Sequence, residues 1–326
     1  MRAIVQDRYG SADVLEFKEI EAPVVGETEV LVRVRAAGCG PDVWHLMTGQ
    51  PYFVRVMPGF HAIKGRVSGR DVAGTVEAVG AKVTGFRPGE AVMGIAEGTF
   101  AELAAARPDK LVPKPNGLTF EQAAAAPISG LTALQAIRDV ASVQPGQRVL
   151  VIGAAGGVGT LTVQVAKAFG AHVTGVCSTS KVDLVRSVGA DDVIDYTRED
   201  FTDGARRWDA IVDTAGRRPL SVLRRALARK GTLAIVGGEG GGRWTGGFFR
   251  QILRAPVLSL VSGQRLRPVV SKEDLEDLRT LAEMLEAGTV TPVVGATYPL
   301  AEAAEAIREL ERGHARGKIV ISVSPA

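Results

Sequence analysis

Residues 149–171, "VLVIGAAGGVGTLTVQVAKAFGA", run from a continuously apolar strand through a glycine-rich turn into a helix. From Ala154 the turn follows an AxGxxG version of the dinucleotide fingerprint. Its glycines let the backbone approach a pyrophosphate and let the helix pack closely on the strand. The alternative is a tight turn without a ligand. The expected cofactor-binding positions here are Ala155, Gly156, Gly157, Val158 and Gly159.

The alternation of strand and helix continues after this stretch. The segments "HVTGVC", "DVIDY", "WDAIVDTAG" and "GTLAIVGG" predict strands, and "KVDLVRSVGA" and "PLSVLRRALARK" predict helices between them. Continuously apolar strands are typical of a sheet that is buried on both faces. We therefore predict an α/β fold with a doubly wound parallel sheet.

The two ends of the chain differ from this central region. The first hundred residues predict β-strands such as "EVLVRVRAAG", separated by glycines and a "RPGE" turn. The last sixty predict helices at "KEDLEDLRTLAEMLEAG" and "LAEAAEAIRELERG" and a closing strand "GKIVISV". With 326 residues, 46% of them hydrophobic, the chain is long enough for two cores.

Composition argues against several classes of partner. Lysine plus arginine (39) nearly balances aspartate plus glutamate (36), and no basic block is present, so we expect no nucleic-acid or membrane partner. The start "MRAIVQDRYG" is too polar for a signal peptide, and no apolar run is long enough to cross a bilayer. Cys39 and Cys177 form no CxxC pair, which excludes a disulfide framework and a structural zinc lobe. We expect a cytoplasmic protein.

The end of the second strand of the central region predicts the cofactor preference. NAD-binding sites of this type usually place a carboxylate there for the adenosine ribose. This chain has Ser178, Thr179 and Lys181 instead, which can donate hydrogen bonds or charge to a 2′-phosphate. Asp183 is better explained by a capping box at the next helix. We predict NADPH rather than NADH, with a solvated first-turn lysine as the alternative for Lys181.

Across nearly its whole length, the chain resembles the zinc-free quinone oxidoreductase (zeta-crystallin-like) branch of the medium-chain dehydrogenase/reductase superfamily. The resemblance rests on the order of "MRAIVQDRYGSADVL", "GRDVAGTVEAVGAKVTGFRPGEAVMG", "AAAAPISGLTALQAI", the cofactor turn, "VGADDVIDY" and "HARGKIVI". It implies a GroES-like catalytic domain formed by residues 1–122 and 265–326, and a Rossmann NADPH-binding domain at 123–264. It also implies an active site between them, usually in a homodimer.

Zinc-dependent relatives in this superfamily take their catalytic zinc ligands from a "CGxD" corner, a "GHE" motif and a third cysteine or aspartate. Here the "GHE" positions fall on Gly69, Arg70 and Asp71, and a guanidinium cannot ligate zinc. The third position falls near Ile128 and Ser129, which offer no thiolate or carboxylate. Since catalytic zinc needs three protein ligands, we expect no zinc.

The first of these corners is "GCGPDVWHL", residues 38–46. The resemblance places Gly40 on the ligand position, where zinc-free relatives usually carry asparagine in "NPxD", and the motif's aspartate is displaced to Asp42. A contact of that asparagine with nicotinamide or substrate is therefore in doubt. We expect Cys39 to be a small buried thiol, with a reactive thiol as the alternative.

Three residues are candidates for catalysis without a metal. Hydride transfer to a quinone or enone leaves negative charge on a carbonyl oxygen, which needs donors and a proton. His45 matches a position where relatives carry a proton-relay histidine or a cofactor-contacting tyrosine, and Tyr52 is a second donor near the same corner. Arg70 is either a fixed charge for the acceptor or an ion-pair partner of Asp71. Packing is the alternative for His45 and Tyr52.

The remaining cofactor candidates follow from the resemblance and from the carboxyl ends of strands. Thr132 resembles a threonine beside the nicotinamide, and Lys318 resembles a tail lysine near the cofactor. Tyr196 ends the third strand, and Gly237 and Gly238 follow the fifth, where open α/β sheets bind ligands. For Thr132, Tyr196 and Lys318 the alternatives are a bond within the helix, packing and a solvated lysine, respectively.

The sequence therefore predicts a zinc-independent, NADPH-dependent reductase of a quinone or an α,β-unsaturated carbonyl. Two alternatives stay open. One is a dedicated biosynthetic enone or enoyl reductase for a single intermediate, for which Gly40 would fit an altered pocket. The other is a non-catalytic NADPH-binding protein, of the kind recruited as a crystallin or regulatory sensor.

Overall fold

The computed structural model of the protein describes residues 1–52, 55, 63, 65–237, 246–313 and 316–323, without the side chains at 246, 248–250 and 261. The chain folds into two compact units. Unit 1 consists of Met1–Leu131 and Glu273–Ala326, and unit 2 of Thr132–Lys272. The assignment of unit 1 as a catalytic domain and unit 2 as a cofactor domain stays a prediction.

The described residues form sixteen strands and nine helices. The strands are β1 (Arg2–Gln6), β2 (Glu16–Glu19), β3 (Val30–Cys39), β4 (Arg66–Val67), β5 (Asp71–Val79), β6 (Ala91–Ile95), β7 (Leu103–Ala106), β8 (Leu111–Pro113), β9 (Arg148–Ile152), β10 (His172–Cys177), β11 (Asp192–Asp195), β12 (Trp208–Asp213), β13 (Leu227–Ile235), β14 (Arg265–Pro268), β15 (Val294–Pro299) and β16 (Lys318–Ser322). The helices are α1 (Pro41–Thr48), α2 (Phe120–Ala124), α3 (Pro127–Gln135), α4 (Gly157–Ala168), α5 (Val182–Ser187), α6 (Leu220–Ala226), α7 (Gly246–Ser262), α8 (Leu275–Glu286) and α9 (Ala303–Arg312).

Unit 2 is built on a six-stranded parallel sheet in the order β11-β10-β9-β12-β13-β14. Counted from β9, this is the order 3-2-1-4-5-6 of a doubly wound sheet, which confirms the predicted fold class. Strands β9, β10 and β12 lie inside the sheet, and their apolar side chains are buried, among them Leu150 and Ile211. One predicted helix is too long: α6 ends at Ala226, and Leu227 begins β13, where residues up to 230 were expected to be helical.

Unit 1 contains a seven-stranded sheet in the order β15-β16-β3-β5-β6-β8, with β7 paired to β3, and a three-stranded sheet β2-β1-β4. The pairings are antiparallel except for β15 with β16. The alternating stretch "EVLVRVRAAG" forms β3, as predicted. Its side chains Val32 and Val34 pack with Val72 of β5 and Ile319 of β16 in one core.

Local sequence signals set several helix ends. Thr119 and Gln122 form a reciprocal capping box at the start of α2, and Asp274 caps α8 by accepting two backbone N–H groups. Pro41 occupies the first turn of α1, where its missing N–H costs nothing. In the described part of the chain, no helix combines the length and the apolar character needed to cross a bilayer.

Candidate functional site

The turn after β9 lies at the carboxyl edge of the parallel sheet, where open α/β folds bind ligands. Helix α4 starts after Gly156, no side chain caps it, and Gly156, Gly157 and Val158 are half-buried. A Cβ atom at Gly159 would lie 2.1 Å from the carbonyl oxygen of Gly153, so glycine is required for this helix–turn contact. A Cβ at Gly156 would meet only that same oxygen, at 3.5 Å. The first turn of α4 therefore fits the pyrophosphate of a dinucleotide.

The adjacent strand ends bring together polar side chains at the same edge of the sheet. The turn after β10 carries half-buried Ser178, exposed Thr179 and half-buried Lys181. Tyr196, about half exposed, follows β11, and its backbone N–H donates to the carbonyl oxygen of Cys177. A role for these groups at the adenosine end of a dinucleotide stays a prediction.

A carboxylate that sequence reasoning missed lies among them. Asp195, the last residue of β11, accepts hydrogen bonds from the hydroxyls of Thr179 and Thr197. The hydrogen bond from Thr179 lowers the pKa of Asp195, with further lowering from Thr197. An acid therefore lies beside the side chains predicted to bind a 2′-phosphate. The sequence signal was the position of Asp195 near the end of the predicted strand "DVIDY", since neighbouring parallel strands end at the same edge, as the pairing of Cys177 with Asp195 shows.

Other predicted cofactor residues of unit 2 lie deeper. The side chains of Ala155 and Thr132 are 3% and 8% exposed. The backbone N–H of Gly237 donates to the carbonyl oxygen of Asp213, at 2.9 Å, which fixes the chain after β13 against the end of β12. Gly238 lies outside the described residues, as do Arg243 and Trp244 of the glycine-rich loop.

Asp213 is a second acid that the sequence analysis did not single out. It ends β12, and one of its carboxylate oxygens accepts the backbone N–H groups of Ala215 and Gly216. The other oxygen, Oδ2, is buried without a hydrogen bond in the described structure. Burial raises the pKa of Asp213 to about 6, although the two backbone donors lower it.

In unit 1, Lys318 is the centre of a buried polar group. Its ammonium lies 2.8 Å from Asp71 Oδ2 and donates to Ser129 Oγ at 3.2 Å. Asp71 Oδ1 accepts the backbone N–H of Ile128 at 2.8 Å. Burial alone would lower the pKa of Lys318, but the carboxylates of Asp71 and Asp42 raise it. Lys318 is 5% exposed, so the alternative of a solvated lysine is wrong.

The end of β3 leads directly into this group. Cys39 is 1% exposed, and burial raises the pKa of its thiol to about 12. A neutral buried thiol is a poor nucleophile and a poor metal ligand, which confirms the expectation of a packed cysteine.

His45 lies on α1, where its ring nitrogen Nδ1 is 2.6 Å from the carbonyl oxygen of Gln50. Because a carbonyl oxygen can only accept, Nδ1 must carry a hydrogen. Nε2 of the neutral ring is then an acceptor and becomes a donor only when the ring is protonated. The edge-to-face contact with Trp44, at 5.1 Å between ring centroids, also restrains the ring. This arrangement is suited to accepting and passing on a proton.

Tyr52 is held by a cation–π contact. The guanidinium carbon of Arg55 lies 4.6 Å from the Tyr52 ring centroid and 4.5 Å from that of Tyr9. Arg55 also donates to the carbonyl oxygens of Thr48 and Gly49, at 3.1 and 3.0 Å. The arginine therefore links the rings of Tyr9 and Tyr52 to the C-terminal end of α1.

Arg70 binds carboxylates other than the one expected. Its guanidinium donates to Glu273, and its Nε lies 3.4 Å from Glu97. Asp71 instead binds Lys318. The predicted alternative of an Arg70–Asp71 pair is wrong, because each side chain is bound to a different partner: Arg70 to Glu273 and Asp71 to Lys318.

The donor set does not fit a catalytic zinc ion. Within the described ranges, no three His, Cys, Asp or Glu side chains come together as a metal site. Of the expected ligand positions, Gly40 has no donor side chain, Arg70 is ion-paired, and Ser129 accepts from Lys318. An ammonium group next to these positions would also repel a divalent cation.

Family models cover most of the chain. Residues 26–116 match the alcohol dehydrogenase GroES-like domain, and residues 188–321 match a zinc-binding dehydrogenase model. The chain is 33% identical to the NAD(P)H oxidoreductase RTN4IP1, mitochondrial, of Bos taurus, over 99% of this chain and 89% of that protein. It is 31% identical to the chloroplast envelope quinone oxidoreductase homolog of Arabidopsis thaliana, over 98% of both chains.

A solved structure is similar over nearly the whole chain. The quinone oxidoreductase from Coxiella burnetii superimposes with a TM-score of 0.84 at 29% identity, covering 99% of both chains.

Proposed function

Because the chain belongs to the quinone oxidoreductases of the medium-chain dehydrogenase/reductase superfamily, we propose that it is a zinc-independent, NADPH-dependent reductase of quinones or α,β-unsaturated carbonyls. The observation that carries this proposal is the uncapped first turn of α4 at the carboxyl edge of the unit 2 sheet. Its amides and the positive end of the helix dipole suit a pyrophosphate.

The cofactor is NADPH, with its pyrophosphate on Gly156–Gly159 and its 2′-phosphate near Ser178 and Lys181. Lys181 supplies a positive charge, and Ser178 supplies a hydroxyl donor. The Thr179 hydroxyl is bound to Asp195 and contributes less than the sequence suggested. Asp195 opposes this preference by its charge, so the ratio of the dissociation constants for NADPH and NADH is the direct test. A ratio that favours NADH would overturn the assignment.

NADPH, when bound, supplies a hydride to the quinone or to the β-carbon of the enone. The acceptor gains two electrons and one hydrogen from this step, and its carbonyl oxygen then needs a proton. We assign the proton transfer to His45, since its Nε2 can take a proton from solvent and pass it on while Nδ1 stays bonded to Gln50. Tyr52 and Arg70 are weaker candidates because each is already engaged by a charged partner.

Zinc independence is supported by the donor set of unit 1, which lacks three ligands in the described residues. The test combines metal analysis of the purified protein with chelator treatment. Activity that disappears with a chelator and returns with stoichiometric zinc would overturn this part of the proposal.

We propose a homodimer that uses β14, which is the edge strand of the unit 2 sheet among the described residues. Nearby apolar side chains support this arrangement: on α7, Leu253, Val257 and Leu260 are 71%, 62% and 87% exposed, and Val270 after β14 is 69% exposed. An apolar stripe at i, i+4 and i+7 on one helix face is typical of an interface.

A cytoplasmic location stays a prediction, because the names of two relatives refer to mitochondria and chloroplasts.

Stopped-flow NADPH oxidation against a panel of quinones and enones tests the function as a whole. We expect turnover with at least one acceptor class. Tight NADPH binding without turnover of any acceptor would instead favour a non-catalytic NADPH-binding protein.

A further inference from the structure

The Lys318 ammonium joins four segments of unit 1 that are far apart in sequence. Lys318 starts β16, Asp71 starts β5, Ser129 lies in the first turn of α3, and Gly40 separates β3 from α1. The contacts to Asp71 and Ser129 are 2.8 and 3.2 Å. A Cβ atom at Gly40 would lie 3.0 Å from the ammonium nitrogen, so the ammonium lies next to the space that a side chain at position 40 would fill.

The glycines of "GCG" make room for these charged groups. A Cβ at Gly38 would lie 2.6 Å from Asp71 Oδ2 and 2.7 Å from the carbonyl oxygen of Ala124. A Cβ at Gly40 would lie 2.6 Å from Asp42 Oδ1. The Asp42 carboxylate therefore occupies the space that a side chain at position 40 would need.

The energetics of this group indicate a role in geometry. Asp71 and Lys318 are 1% and 5% exposed, and moving an ion pair out of water costs about as much as the pairing returns. Well-packed apolar residues would give similar stability without the desolvation cost. The ammonium adds directional contacts, since its N–H groups bind acceptors on separate segments and so fix where these segments lie.

We propose that the Lys318 ammonium holds this corner together in the way a metal ion would, as a positioning residue that fixes the first turns of α1 and α3. The segments around Gly40, Asp71 and Ser129 are those that the resemblance assigns to the metal-ligand positions of zinc-dependent relatives. Helix α1 carries His45 one turn beyond Asp42, so loss of the ammonium loosens the proposed proton relay. This inference rests on the proposed function, specifically on zinc independence and on the role of His45.

The test uses four variants of the full-length protein. Lys318→Met removes the cation but leaves the Asp71 carboxylate buried and unpaired, which endangers folding. Lys318→Met/Asp71→Asn removes both charges and keeps an oxygen for the Ile128 N–H, so it should fold. Lys318→Arg keeps a cation. Lys82→Met removes a lysine paired with Glu27 at the surface and serves as the matched control.

Two readouts separate positioning from a general loss of structure. Hydrogen exchange measured by mass spectrometry reports on peptides that cover α1 and α3, and steady-state kinetics gives kcat, KM and the NADPH dissociation constant. For the double variant we expect about tenfold faster exchange in these two helices, as local opening predicts. We also expect about tenfold lower kcat with NADPH affinity within about twofold, because the loss concerns a step after binding.

Lys318→Arg should recover most of kcat, and Lys82→Met should match the unaltered protein in both readouts. A double variant that exchanges and turns over like the unaltered protein would overturn the proposal. A protein without turnover of any acceptor would contradict the proposed function, and the exchange measurement would still decide the role of Lys318.

Discussion

Replacing Gly156 by alanine should separate cofactor binding from stability. Gly156 has an extended backbone, with φ −83° and ψ 176°, that any residue adopts, and its Cβ would meet one atom at an ordinary 3.5 Å. The folded state therefore accepts alanine without strain, and the more restricted unfolded chain adds about 0.4–1 kcal/mol of stability, which offsets the poorer N-cap propensity of alanine. The methyl group would, however, stand where the pyrophosphate approaches the backbone. We expect the NADPH dissociation constant to rise about 10–100-fold, or about 1.4–2.8 kcal/mol.

The comparison with Gly159→Ala sharpens this prediction. There the Cβ would lie 2.1 Å from the Gly153 carbonyl oxygen, so α4 must move by about 1.3 Å to reach an ordinary contact distance of 3.4 Å. Such overpacking costs about 1–3 kcal/mol, so this variant should lose stability as well as affinity. Gly117→Ala, where a Cβ meets no atom within 4 Å, is the neutral control.

Urea unfolding gives the stabilities of these variants, and quenching or transfer of NADPH fluorescence gives the dissociation constants. Binding of NADPH by Gly156→Ala as tight as by the unaltered protein would contradict the proposed pyrophosphate site. A loss of stability in Gly156→Ala as large as in Gly159→Ala would contradict the difference in packing between the two positions.

Four further changes test separate parts of the account. His45→Asn keeps a donor for the Gln50 carbonyl oxygen but removes Nε2, so kcat should fall about 100-fold while the melting temperature holds. Lys181→Ala should weaken NADPH about tenfold and leave NADH unchanged in the same titration. Burial raises the pKa of Asp213 to about 6, so the folded protein loses stability as the pH rises from 3.8 to about 6; Asp213→Asn should abolish that loss, up to about 3 kcal/mol, in melts across this range. Leu260→Glu should convert a dimer to a monomer in light-scattering chromatography, and an unchanged mass would remove α7 from the interface.

The sequence predicted unit 2 well because its signals are local. Buried parallel strands are continuously apolar, and the first turn of α4 requires glycine at 159 because it packs against the carbonyl oxygen of Gly153. The exception is the end of α6. "LARK" continues a helical pattern, yet Leu227 joins β13 because pairing with Trp208 of β12 outweighs helix propensity.

The polar corner of unit 1 was only partly predictable. The motif "GCGPDVWHL" identified the correct segment, and the resemblance placed residues 69–71 and 128–129 beside it. The partners themselves come from elsewhere: Arg70 binds Glu273, 203 residues away, and Asp71 binds Lys318. Nothing in the local pattern marks such pairs, because side chains reach partners through tertiary packing that spacing does not encode.

Zinc independence is tested most directly by NADPH oxidation with protein from which the metal has been removed and whose residual zinc has been measured. We expect undiminished turnover of a quinone or enone when the protein contains well below about one zinc ion per chain. Turnover that is lost on chelation and regained only with zinc would contradict it.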